Sequence, residues 1–88
     1  MLEKTIKVLN PMGIHPKTAT ILVQTANKFT SNIWISKDEK KVNAKSLMGV
    51  MSLAISKGTD IVVIVDGHDE EMAMNSILAL VASTEVEK

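Results

Sequence analysis

The 88-residue chain carries 10 basic and 10 acidic residues, so net charge gives no electrostatic case for a nucleic acid or an anionic membrane as partner. Every basic residue is a lysine, so a phosphate site here must work without the guanidinium fork, through lysine, hydroxyls, backbone amides or helix ends. Cysteine is absent, and Phe29 and Trp34 are the only aromatic residues, which excludes disulfides, thiolate metal sites, cysteine nucleophiles and a base-stacking platform.

That length fits one domain over residues 1–88, and a 45% hydrophobic content is ample for a packed core. No apolar run approaches a membrane span, and the opening MLEKTIKVLN alternates and carries charge, unlike a signal peptide. Without cysteine, this pattern suits a cytoplasmic protein with neither membrane insertion nor direct nucleic-acid binding.

Thr5 to Leu9 alternates as a strand does, and Asn10-Pro11 ends it. After Gly13, the spacing of Ala19, Leu22, Val23 and Ala26 predicts an amphipathic helix over about 16–27. Pro16 marks its first position and drives His15 out of helical geometry, so His15 is the N-cap, flanked by staple positions Ile14 and Ala19. A strand is expected over 32–36, with Ile33 and Ile35 on one face and Trp34 on the other. Asp38-Glu39 is the expected hairpin tip, returning through a short strand at 41–43. Ser46 is expected to cap a short helix over about 47–53. Asp60 to Asp66 is the strongest strand in the sequence. Asp69 then caps a last helix with Glu70 and Glu71 in its first turn and Ala73, Ile77, Leu80 and Val81 as its buried stripe. The order βαββαβα predicts an α+β fold: an open-faced β-sandwich, a four-stranded, mainly antiparallel sheet with three helices on one face.

Two residues invite a chemical reading. An imidazole at a helix N-terminus meets free amides and the positive end of the dipole, which disfavours imidazolium and leaves a ring nitrogen lone pair to attack. The same amides would stabilise a phosphoryl dianion on that nitrogen, and Lys17 adds a cation. The plain alternative for His15 is a surface histidine that precedes a helix. Ser46 reads as an ordinary cap or as a phosphorylation site whose phosphate would meet the dipole, with Lys45 as a pairing charge. Leu47, Met48, Val50 and Met51 read either as core or as an exposed, adaptable docking surface. His68, beside Gly67, reads as a solvated loop residue. No metal-ligand spacing, cofactor fingerprint or catalytic constellation appears, so neither a cofactor nor enzymatic activity is expected.

The runs GIH at 13–15, ATILVQTANKF at 19–29 and VNAKSLMGVMSLA at 42–54, with the G-x-D of Gly67 and Asp69, resemble the HPr family. These are the histidine-containing phosphocarriers of the bacterial phosphoenolpyruvate:sugar phosphotransferase system. The resemblance runs through nearly the whole chain in order, and the fold it implies agrees with the element order above. It implies that His15 accepts a phosphoryl group from phosphorylated enzyme I and hands it to enzyme IIA domains, with Lys17 stabilising the phosphate. It implies that Ser46 is the regulatory site of an ATP-dependent HPr kinase/phosphorylase. Thr20, Leu47, Met48 and Met51 are implied to meet these partners, among them a catabolite-control transcription factor.

The chain departs from the family where the chemistry lies. The family's H-A-R-P is here His15-Pro16-Lys17-Thr18. Pro16 removes one amide donor, a charge-assisted bond worth roughly 1.5–3 kcal/mol. Lys17 keeps the charge of the family's arginine without its fork. Thr18 restores an N–H where the family has proline and adds a hydroxyl. The expectation is a phosphorylatable His15 with slower or weaker transfer. A regulatory relative acting through the serine alone is the competing reading; a small enzyme or ligand-binding domain is disfavoured for want of a catalytic constellation.

Overall fold

A computed structural model describes residues 1–82; residues 83–88, the last of the expected domain, lie outside the described residues. The elements are β1 (Leu2–Lys7), α1 (Pro16–Ala26), β2 (Asn32–Lys37), β3 (Lys40–Asn43), α2 (Leu47–Ser52), β4 (Asp60–Asp66) and α3 (Glu70–Ala82), in the predicted order βαββαβα. They form one four-stranded sheet in the order β1-β4-β2-β3, with every neighbouring pair antiparallel.

The alternation in each strand decides which sheet face is covered. Ile33 pairs with Val65 and Ile35 with Val63, so these four side chains and Ile61 point to one side, where all are buried. α3 packs over β1 and β4, α1 lies against α3 and α2, and α2 reaches β3. Their contributions to the core are Ala19, Leu22 and Ala26 from α1, Val50 from α2, and Ala73, Met74, Ile77 and Val81 from α3. Val23 and Leu80, expected in the stripes, are only half-buried at the edge of the core, while Thr18 and Met74 take fully inward positions. The other sheet face carries Trp34, Val62 and Ile64, all half-buried, with the Lys41 ammonium 4.6 Å from the centre of the Trp34 ring.

The first strand runs over Leu2–Lys7, earlier than the expected 5–9. Its partner is the cause: Leu2 pairs with Val65 and Lys7 with Asp60, so β1 follows β4 from Asp60 to Val65. Beyond Lys7, Val8 bonds instead to the turn before β4, its amide donating to Thr59 (2.9 Å) and its carbonyl accepting from Gly58 (2.8 Å). Leu9 then points outward.

Gly13 lies in the left-handed region (φ 66°), where a Cβ would stand 2.6 Å from the Ile55 carbonyl oxygen. Only glycine fits that crossing. The next amide, of Ile14, donates to the same carbonyl at 3.0 Å. The segment before α1 is thereby tied to the segment between α2 and β4.

Asp69 precedes α3, as expected of a cap, but its carboxylate is used elsewhere. It accepts from the Thr30 amide at 2.9 Å, the Ser31 amide at 3.0 Å and the Ser31 hydroxyl. These bonds tie the start of α3 to the chain entering β2. Gly67 permits the approach: a Cβ there would lie 2.5 Å from the Ser31 Oγ. Glu70 supplies the local closure, its carboxylate accepting from the Gly67 amide at 3.2 Å. The Ser31 hydroxyl, then the Thr30 amide, hold the Asp69 carboxyl below its ordinary 3.8, at about 2.

Two outcomes follow. Because the folded-state pKa of Asp69 lies below its unfolded value, its contribution is complete above about pH 4 and disappears as the pH falls through about 2. Asp69→Asn is therefore expected to be less stable than the parent in urea at pH 7, with the gap closing towards pH 2; a gap independent of pH would contradict this. At the hairpin tip, Asp38 (φ 50°) and Glu39 (φ 70°) are both left-handed. Glu39→Gly relieves that strain and should raise stability by roughly 0.5–1 kcal/mol, read as a higher urea midpoint at unchanged slope.

Candidate functional site

His15 is the N-cap of α1, with the extended backbone (φ −83°, ψ 174°) that Pro16 imposes on its predecessor. Its carbonyl accepts the first helical bond, from the Ala19 amide at 2.8 Å. Pro16 has no N–H, so the first amide to reach the ring is that of Lys17, which donates to His15 Nδ1 at 3.3 Å. The other ring nitrogen, Nε2, lies 3.2 Å from the Thr18 hydroxyl. The imidazole is half-buried, Lys17 is exposed and Thr18 is buried. The His15 ring thus sits over a helix N-terminus, half-buried, with both nitrogens engaged. Thr20, expected to meet partners, is exposed, and its hydroxyl donates to the Pro16 carbonyl at 2.9 Å.

Ser46 is the N-cap of α2, as expected, its hydroxyl accepting from the Gly49 amide at 3.2 Å. Asn43 prepares that turn: its side-chain oxygen accepts from the Lys45 amide at 2.8 Å and its carbonyl from the Ser46 amide at 3.0 Å. Beside Ser46, the Lys45 ammonium donates to the Phe29 carbonyl at 2.7 Å, just past the end of α1, where carbonyls are left without helical partners. Among the expected patch residues, Val50 is core at 1% exposure, on a helix packed against α1 and β3. Leu47, Met48 and Met51 are exposed (42%, 84% and 40%) on the outer side of the same short helix. His68 is exposed in the turn before α3.

Sequence reasoning noted the Thr18 hydroxyl but not its reach to His15. The signal was present: N-cap and third helical position are the spacing of a capping box, here with histidine and threonine in place of the usual pair. The Asp69–Ser31 tie left no such local signal, because its partners are 38 residues apart in sequence.

A family model described as the PTS HPr component phosphorylation site matches residues 2–83. An HPr-like protein Crh of Halalkalibacterium halodurans is 49% identical over 92% of this chain and 96% of its own length. A phosphocarrier protein HPr of Neisseria meningitidis is 41% identical over 92% of this chain and 91% of its own. The crystal structure of HPr-C-His from Thermoanaerobacter tengcongensis superposes with a TM-score of 0.89 at 48% identity, covering 92% of this chain and 91% of that one. This α+β, open-faced domain with a histidine at the start of its first helix belongs to the HPr family of the bacterial phosphotransferase system. Among the described residues, no helix is long and apolar enough to cross a membrane.

The cap at α2 carries a checkable energy. Ser46→Ala removes the acceptor for the Gly49 amide and should cost about 0.5–2 kcal/mol in urea unfolding. A variant as stable as the parent would mean that the cap contributes nothing.

Proposed function

We propose that this protein is a cytoplasmic phosphocarrier of the phosphotransferase relay, with His15 as phosphoryl acceptor. The observation that carries the reading is a histidine held at the N-terminus of α1, with the Lys17 amide directed at Nδ1. In this reading phosphorylated enzyme I donates to a ring nitrogen of His15, and enzyme IIA domains take the group onward. Nucleophilic attack needs little more than positioning and charge stabilisation. The helix dipole, the Lys17 amide and the Lys17 charge supply both. The protein transfers nothing by itself; partner enzymes load and unload it.

Ser46 is the proposed second site, phosphorylated from ATP by an HPr kinase/phosphorylase. A phosphate there would sit at the α2 cap, and the exposed Leu47, Met48 and Met51 would form the apolar surface beside it for partners, including a catabolite-control transcription factor. A second reading is favoured by the similarity to two HPr-like Crh proteins, at 49% and 44% identity: a regulatory role through Ser46 alone. The altered Pro16-Lys17-Thr18 run fits it. The retained His15 favours the carrier.

Incubation with phosphoenolpyruvate and enzyme I separates the two. An acid-labile phosphate that persists in Ser46→Ala and is lost in His15→Ala is expected. Absence of label with ample enzyme I would leave the regulatory reading. Loading should be slower than for an H-A-R-P relative, and Pro16→Ala, which returns one amide donor, should speed it about tenfold. Equal rates for parent and relative would refute the weakened cradle. Label from ATP and the kinase, lost in Ser46→Ala, tests the second site.

A further inference from the structure

We propose that Thr18 is a positioning residue for His15: its hydroxyl holds the imidazole through Nε2 and fixes which ring nitrogen carries the proton. Its consequence for transfer rests on the reading of His15 as phosphoryl acceptor; the tautomer itself does not.

The geometry allows one arrangement of the neutral ring. Nδ1 lies 3.3 Å from the Lys17 amide, and an amide N–H only donates, so Nδ1 presents its lone pair. The ring proton then sits on Nε2, 3.2 Å from the Thr18 Oγ1, and donates to it. Thr18 is 5% exposed, so its oxygen is anchored in the fold and not at the end of a mobile chain. Two contacts, one on each nitrogen, fix the ring plane as well as the proton. The family's proline at this place has no hydroxyl, so the device belongs to the altered His15-Pro16-Lys17-Thr18 run of this chain.

The contact also suits the transfer. The Nδ1 lone pair forms the new N–P bond while the bond from phosphorus to the donor's leaving atom breaks, its electron pair staying with the donor. Nε2 keeps its proton throughout. The ring becomes cationic, so the Nε2–H bond to Thr18 becomes charge-assisted and strengthens as the phosphorylated state forms. The Lys17 amide, released from the lone pair, lies beside the new phosphoryl oxygens. Thr18 therefore offsets part of what Pro16 removes, by stabilising the loaded ring from its opposite side.

Thr18→Val keeps the shape and removes the oxygen; Thr18→Ser returns an oxygen. In protein labelled with 15N-histidine and free of phosphate, ring nitrogen shifts should report the Nε2–H tautomer almost alone in the parent. They should report a mixture in Thr18→Val and a return towards the parent in Thr18→Ser. After loading, hydrolysis of the phosphohistidine should be about tenfold faster in Thr18→Val and recover in Thr18→Ser. A parent ring protonated on Nδ1 overturns the proposal. So does a Thr18→Val variant that folds normally yet keeps the parent's shifts and hydrolysis rate. If Thr18→Val does not fold, Thr18→Ala against Thr18→Ser makes the same comparison. Because the tautomer is read without phosphate, unchanged shifts with normal loading reject the role of Thr18 alone, whereas failure to load at His15 rejects the carrier reading.

Discussion

The arrangement depends on one close backbone crossing. Gly13 passes so near Ile55 that no side chain fits, and the Ile14 amide closes the contact on the Ile55 carbonyl. Ile14 is thereby buried and the next residue, His15, is delivered to the helix start with an extended backbone. Pro16 can then begin α1 at once. A histidine on a surface loop would wander through many rotamers; one placed by a buried neighbour, a proline and a glycine crossing has far fewer left to lose.

Both candidate sites use the same physics. Each is a residue in extended geometry whose side chain accepts from an amide of the first helical turn, His15 from Lys17 and Ser46 from Gly49. Each side chain therefore stands where partial positive charge gathers. An added phosphate in either place would meet amides, not carbonyls. The helices differ in what lies behind them: α1 is anchored by Ala19, Leu22 and Ala26, while α2 buries Val50 and turns Leu47, Met48 and Met51 outward. A six-residue helix cannot hide all its apolar side chains, and this one exposes them next to its cap.

The lysines illustrate how a charge is assigned by its surroundings. Lys45 is next to Ser46 in sequence, and its ammonium donates to the Phe29 carbonyl. Lys37 donates to the Leu53 and Ala54 carbonyls at 2.9 and 3.2 Å, capping the far end of α2. Sequence proximity says only that a long side chain can reach; unsatisfied carbonyls at helix ends decide where it goes.

Much of the molecule was legible in the sequence, because local rules governed it. Asp60–Asp66 has a run of apolar β-branched residues between acidic ends, and these bounds are the same in the sequence pattern and in the fold. Proline and histidine at 15–16 marked the start of α1, serine marked α2, and Asp38-Glu39 marked the hairpin. The match to the HPr family rests on the same local runs. What the sequence could not decide were contacts between distant segments. The first strand moved to Leu2–Lys7 because β4 offered partners there. Asp69 left its own helix for Ser31 because the fold brought that amide and hydroxyl to it. Thr18 turned inward and met the imidazole because α1 rotates its third residue under its cap and packs it against the core. Propensity, capping and periodicity act over a few residues and can be read from order alone. Register, hydrogen-bond partners and the proton position on a ring depend on which surfaces meet, and that is settled only when the chain has folded.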